Sequence, residues 1–505
     1  MRAPPSRWRR SWGRCRGRHR PTTREHLLMK NPLIAQRGVR FQKLSVGQCT
    51  AIHDASCRLL ETVGIEAHHE QAREILKKAG AVVEGTRVRV PRRLVDWALG
   101  VVPRSFTLHT RVGVAAMEVG GANVYFGNGS ETPNVLDHRT GERRHGTLAD
   151  VVEGVRLLDA LPNIDFVMSL FVPWELAPQV AYVEQFKAMI ENSTKPFLFL
   201  SPSGEDFRAM VEMLEAVAGG EEALREKPRG LGYINVTHPF RHEFDDLDKL
   251  MFLARKGVPY TYNPTVLRGA SGPITQAGSM AVGNMGELFG LVLAQLVNEG
   301  CPATMSGGTA DKLDMRSMID IYSAPENRVA FTEMARFYDI PHFGLAGGSD
   351  AKLVDEQAAA EASLTMLVEA LAGSNLIHDV GYMESGMSNS LAQIVICDEI
   401  IGWIRRFMDP IVVDEETLAL GLIERVAPMG DYLAEDHTLA HFGEDWYPGL
   451  FDQSSHDKWV KAGSLRLGEK ATRRVDELLA HHQVEDLPSD VVAQLDRIIA
   501  ARAAQ

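Results

Sequence analysis

Residues 256–263 read KGVPYTYN, and residues 299–306 read EGCPATMS. The two stretches are one phrase used twice: a charged helix end, a glycine, a proline, and a short run of β-forming residues. Glycine stops a helix in the left-handed conformation at no steric cost, and proline cannot continue it, so each phrase joins a helix to a strand. Outward from these joints, six more short β-rich runs are bounded by Gly, Pro or Asn: 123–127, 165–170, 196–200, 231–236, 342–346 and 376–380. With 259–263 and 303–306 they make eight. Stretches with apolar residues at helical spacing separate them, at 147–160, 179–192, 205–218, 243–256, 275–298, 325–338, 355–372 and 390–407. Eight strands, each followed by a helix, is the count of a closed barrel of ~250 residues. The expected fold class is therefore α/β: a (β/α)₈ TIM barrel with helical N- and C-terminal additions. An open doubly wound sheet is the alternative, but it usually carries a glycine-rich phosphate turn after its first strand, and none is found here.

Composition divides the chain further. Residues 1–28 hold nine arginines against the single acid Glu25, so removing them takes the formal charge from −12 to −20. This stretch has no apolar core of a secretory signal, and Met29 opens a more ordinary sequence. The expected organisation is a disordered basic extension at 1–28 and a mostly helical region at 29–118 packed on the barrel. The barrel itself would occupy 119–408, with a helical extension at 409–505. The acidic remainder argues against nucleic acid and suits a cationic ligand. No uninterrupted apolar run approaches a membrane span. Five scattered cysteines without a CxxC pair suit a reducing cytoplasm better than a disulfide framework.

In a barrel, chemistry sits just after each strand. Those positions are rich in aromatics and poor in lysine: Tyr125, Phe126, Trp174, Tyr233 and Tyr262, beside His238, Asn263, Ser349, Asp350 and Glu384. Aromatic faces hold quaternary ammonium groups at about 0.5–2 kcal/mol each, though an aromatic at a strand end also serves as a core plug. Asp350 reads equally well as a helix cap. Arg268 and Arg316 could hold a substrate carboxylate, or form structural ion pairs. The histidines His238, His242, His342 and His378 are spread over different loops, without metal-ligand spacing. The pairs Gly307-Gly308 and Gly347-Gly348 could cradle phosphate, or clear space for a ligand.

The phrases at 262–279 (YNPTVLRGASGPITQAGS), 314–317 (DMRS), 324–326 (APE), 347–352 (GGSDAK) and 355–358 (DEQA), with the early Gly64-Ile65, resemble the trimethylamine:corrinoid methyltransferase family. The resemblance runs from about Arg40 to the end of the barrel. It implies a (β/α)₈ barrel that passes a methyl group from a methylated amine to the cobalt of cobalamin, a corrinoid presented by a separate corrinoid-binding protein. No tightly bound cofactor and no metal are expected in this chain, and a homo-oligomer is. The archetypal enzymes of that family insert pyrrolysine in the active-site region; this chain has standard residues throughout. A neutral tertiary amine would have to leave as an amide anion, whereas a quaternary one leaves as a neutral amine. The sequence therefore resembles the non-pyrrolysine branch, whose best-known substrate is glycine betaine. On that reading Tyr125, Phe126, Trp174, Tyr233 and Tyr262 are cage walls. Asp350 and Glu384 supply negative field, and His238 or Asn263 anchors the substrate. A non-enzymatic quaternary-amine-binding protein and a barrel enzyme of other chemistry are the alternatives.

Overall fold

The computed structural model describes residues 41–308 and 310–504. The expectation for residues 1–28 lies outside them. Seven strands carry the frame: β1 (Tyr125–Asn128), β2 (Phe197–Phe199), β3 (Gly230–Val236), β4 (Tyr260–Pro264), β5 (Ala303–Thr304), β6 (Phe343–Leu345) and β7 (Leu376–Val380). Between β1 and β2 the chain is extended at Phe166 and Val167, which make parallel bridges to Gly127 and Phe197. Strands β2, β3, β4 and β5 are parallel neighbours in that order. Met305 then bridges to His342, β6 pairs with β7, and β7 pairs with β1, all parallel. Each pairing joins neighbours in sequence, and the last returns to the first.

The intervening helices are α1 (Leu148–Ala160), α2 (Pro178–Asn192), α3 (Gly204–Ala218), α4 (Phe244–Lys256), α5 (Gln276–Val297), α6 (Pro325–Phe337), α7 (Glu356–Ala372) and α8 (Leu391–Met408). Local chemistry sets their ends. Thr147 and Asp150 form a reciprocal capping box at the start of α1. Gly257, at φ 69°, closes α4 in the left-handed conformation that the KGVP phrase requires. Asp355 caps α7 by accepting from the backbone N–H groups of Gln357 and Ala358. Helix α5 is apolar and long enough to cross a membrane, yet 17 of its residues are buried within the protein.

The flanking regions complete the helical layer. Helix Val46–Thr62 packs against α5 and α6, and Arg92–Val101 packs against α5. Near the C-terminus, Leu467–His481 lies between α8 and α1, and Ser489–Ala503 lies against α2 and α3. The core has two parts. The larger lies between strands and helices. The smaller joins Tyr125, Phe166, Leu198, Leu231, Tyr233 and Phe343 of the strands to the antiparallel hairpin Ser105–His109/Ala115–Gly120 through Leu108, Met117 and Val119. The hairpin plugs one end of these strands, opposite their C-terminal end.

Candidate active site

That end holds a cavity of about 500 Å³, a volume typical of small-molecule sites. Its aromatic lining includes Tyr233, Tyr322, Phe331, Phe343, His378 and Tyr382. Tyr233 packs against Phe343 (5.1 Å between centroids) and edge-on to His378 (5.7 Å), while Phe343 and His378 stack at 4.2 Å. Asn263 accepts a hydrogen bond from Ser306 Oγ at 2.8 Å.

The charged lining is one-sided. Glu131, Asp311, Asp320, Glu369 and Asp379 face the cavity, against the one cation Arg328. Arg328 Nη1 donates to Asp311 Oδ1 at 3.1 Å, and both side chains are nearly buried. Burial pushes the Glu131 and Asp379 carboxyls up to about 8 and that of Glu369 up to about 7. Asp320 is raised by burial and by its neighbour Asp311. Three carboxyl oxygens, Glu131 Oε1, Asp320 Oδ1 and Glu369 Oε2, lack hydrogen-bond partners. His342 and His378 are driven down to about 3 by burial and are neutral. His378 Nδ1 donates to the Gly344 carbonyl at 2.6 Å, which leaves its Nε2 lone pair toward Asp379 Oδ1 at 3.5 Å.

Backbone strain holds two of the acids in place. Asp379 has φ 73° and Glu131 has φ 60°, a region that costs non-glycine residues about 1–3 kcal/mol. The Tyr382 hydroxyl accepts from Ser130 N at 2.7 Å and donates to Ser130 O, fixing the loop that carries Glu131.

Of the ten residues expected at the site, Tyr233 and Asn263 line the cavity. The other eight lie elsewhere, Phe126 and Tyr262 because successive strand residues face opposite sides. Phe126 points into the outer layer beneath Arg405, whose guanidinium is 5.9 Å from the ring. Tyr262 shares that outward orientation, with its hydroxyl 2.7 Å from His242 Nδ1 and its ring against Gly290 of α5. Tyr125 faces inward but sits at the plugged end, accepting from Glu118 N. Trp174 is 54% exposed, packed against His145. His238 is exposed on a turn, where Nδ1 accepts from Phe240 N. Ser349 is buried and donates to Glu361 at 2.6 Å. Asp350 caps no helix; it accepts from Tyr322 N, Ser323 N and the hydroxyls of Ser323 and Ser385, tying two loops together. Glu384 pairs with Arg143 at 2.8 Å.

Two further corrections follow. The expected site omitted every carboxyl group that lines the cavity: Glu131, Asp311, Asp320 and Glu369 come from a loop, a hairpin and a helix, and Asp379 from within β7. Gly307 and Gly308 do form an anion cradle, at φ 73° and 81°, but Glu287 fills it. Its carboxylate accepts from the N–H groups of Ser306, Gly307 and Gly308 at 3.0, 3.1 and 3.1 Å. Among the described residues, no group of three or more His, Cys, Asp or Glu side chains is placed to hold a metal ion.

Fold and cavity thus define an α/β protein with an acidic, aromatic small-molecule site. The chain belongs to the trimethylamine methyltransferase (MTTB) family, whose pattern matches residues 10–505. It is 31% identical over 454 residues to trimethylamine methyltransferase MttB of Desulfitobacterium hafniense strain DSM 10664 / DCB-2, covering 89% of this chain and 91% of that one. It is also 31% identical over 469 residues to the glycine betaine methyltransferase of D. hafniense strain Y51, covering 92% and 97%. With MttB of Methanosarcina barkeri it shares 30% identity over 478 residues, covering 92% and 96%.

Proposed function

We propose that this protein is a (β/α)₈-barrel methyltransferase that moves a methyl group from a quaternary methylated amine to the cobalt of a corrinoid carried by a separate protein. The parallel pairings that return from β7 to β1 support the barrel. The observation that carries the function is the cavity lining: five carboxyl groups and several aromatic faces against one arginine already paired with Asp311.

A corrinoid presented by its partner would supply the nucleophile and take the methyl group; the N–CH₃ electron pair would stay on nitrogen, so this chain's residues need move no proton. The chain's residues bind and orient the cation and exclude water. Tyr233 and Phe343 present faces to the ammonium. Asp379 and Glu131 face it with carboxyls whose ionisation a bound cation favours. Asn263, held by Ser306, offers its amide to the rest of the substrate. Asp350 is a positioning residue for the loop that bears Tyr322, and Glu384 sets the rim through Arg143. Because a quaternary nitrogen leaves as a neutral amine, this arrangement needs no titrating general acid.

The test is methylation of cob(I)alamin, followed by absorbance, across a panel of methylated amines. Quaternary amines should be turned over, and trimethylamine should not. Binding of quaternary amines without any methyl transfer would favour a non-catalytic binding protein.

A further inference from the structure

We infer that the preferred substrate is a quaternary ammonium cation bearing no carboxylate, such as choline or tetramethylammonium, rather than a betaine; this narrowing rests on the function proposed above. A betaine needs a cationic anchor for its carboxylate. Among the described cavity residues only Arg328 could serve, and it is engaged: Nη1 with Asp311 at 3.1 Å and Nη2 with the Tyr322 carbonyl at 3.4 Å. Its Nε is buried without a partner, yet a substrate carboxylate reaching it would lie beside the Asp311 carboxylate that the same guanidinium already holds. Arg316 is no alternative, being 92% exposed on a hairpin turn and paired with Asp314. Arg268 follows Leu267 on the strand Val266–Arg268, and it is Leu267 that faces the cavity. A substrate carboxylate would also lie among Glu131, Asp320, Glu369 and Asp379 and oppose their ionisation, whereas a bound cation favours it. The unpartnered oxygens of Glu131, Asp320 and Glu369 can further accept from a hydroxyl such as choline's.

Calorimetric titration of the full chain with choline, tetramethylammonium and glycine betaine, alongside the cob(I)alamin assay, separates the outcomes. Choline or tetramethylammonium should bind at least ~10-fold more tightly than glycine betaine, and choline should yield dimethylethanolamine. Equal or tighter binding and faster turnover of glycine betaine overturn the narrowing while leaving the methyltransferase reading intact. Failure of every quaternary amine to bind or react removes both.

A different observation carries a second inference. Residues 405–449 contain no buried residue, although they form the helices Glu415–Leu418, Leu420–Val426 and Asp436–His441. Helices this short are unstable without packing. Twelve large apolar side chains between Ile411 and Tyr447 are 39–92% exposed, Met429 the most. Together they present on the order of 1,000 Å² of apolar surface, beyond the patch of an ordinary monomer. That area suits a permanent interface, since a transient partner would leave the arm uncovered for most of its life. We propose that a second copy of this chain covers it. Ten acids against Arg425 alone in residues 409–449 disfavour arm stacked on arm, so each arm lies on the body of the other protomer. Mass photometry of the full chain should show a dimer or higher multiple. Met429→Asp with Leu433→Asp should give monomers with unchanged choline binding, since neither residue faces the cavity. A monomeric wild type, including one that sediments with anionic vesicles, overturns the proposal, as does a double variant that keeps the wild-type mass.

Discussion

Asp379→Asn isolates the charge that the cavity is built to use. Asparagine keeps the shape and tolerates the left-handed backbone, φ 73°, at which alanine would add its own strain. A quaternary nitrogen ~5 Å from an ionised carboxylate gains about 3.3 kcal/mol at an effective dielectric of ~20. Burial pushes this carboxyl up to about 8, so ionising it at ~pH 7 costs about 1.4 kcal/mol. The net of about 2 kcal/mol corresponds to roughly 30-fold in affinity. Raising the pH to ~8.5 removes the penalty and the loss grows beyond ~100-fold; at ~pH 6 the penalty is about 2.7 kcal/mol and the loss falls to a few-fold. The sign is fixed: the acid is protonated below about 8, so cation binding strengthens as pH rises. In folding the same shift acts in the opposite sense. The folded state holds this proton more tightly than the unfolded chain, so the group's stabilisation is full below the ordinary carboxyl range and is lost as pH rises through about 8. Calorimetric titration with tetramethylammonium at three pH values measures the difference. Equal affinities of wild type and Asp379→Asn at ~pH 8.5, or a loss that does not vary with pH, refute the reasoning.

Tyr233→Leu keeps bulk but removes the π face, and should weaken tetramethylammonium binding by about 1–2 kcal/mol, read as a 5- to 30-fold rise in Kd. Tyr262→Phe and Trp174→Ala should leave that Kd within about twofold, because one ring faces α5 and the other solvent; a tenfold change in either would restore the aromatic cage expected from sequence. Gly290→Val places a Cβ 2.3 Å from the Tyr262 ring and should cost about 1–3 kcal/mol, seen as a lower melting temperature with unchanged cation affinity in the folded fraction.

The frame was legible because its punctuation is chemical. Glycine, proline and the capping side chains mark the joints, and the helix expected at 147–160 is found at Leu148–Ala160, that at 355–372 at Glu356–Ala372. The site was less so. In YTYN both tyrosines share a face, and only the register against α5 shows that it is the outer one, leaving Thr261 and Asn263 for the interior. Glu131, Asp320 and Glu369 come from a loop, a hairpin and the last turn of α7, places where a charged side chain usually points to water. One signal was available: LIHDV at 376–380 sets a histidine and an aspartate inside an apolar strand, and a buried charge in a strand needs a reason.

Glu287 gives the cavity wall a kind of chemical immunity. Three consecutive N–H groups from Ser306 to Gly308 would form a socket for any small anion in the cell. Because the stopper is tethered to α5, it is present at a fixed high local concentration that free phosphate or chloride cannot match. On the side of the cavity where a left-handed glycine pair would otherwise leave a socket open, the chain supplies its own occupant.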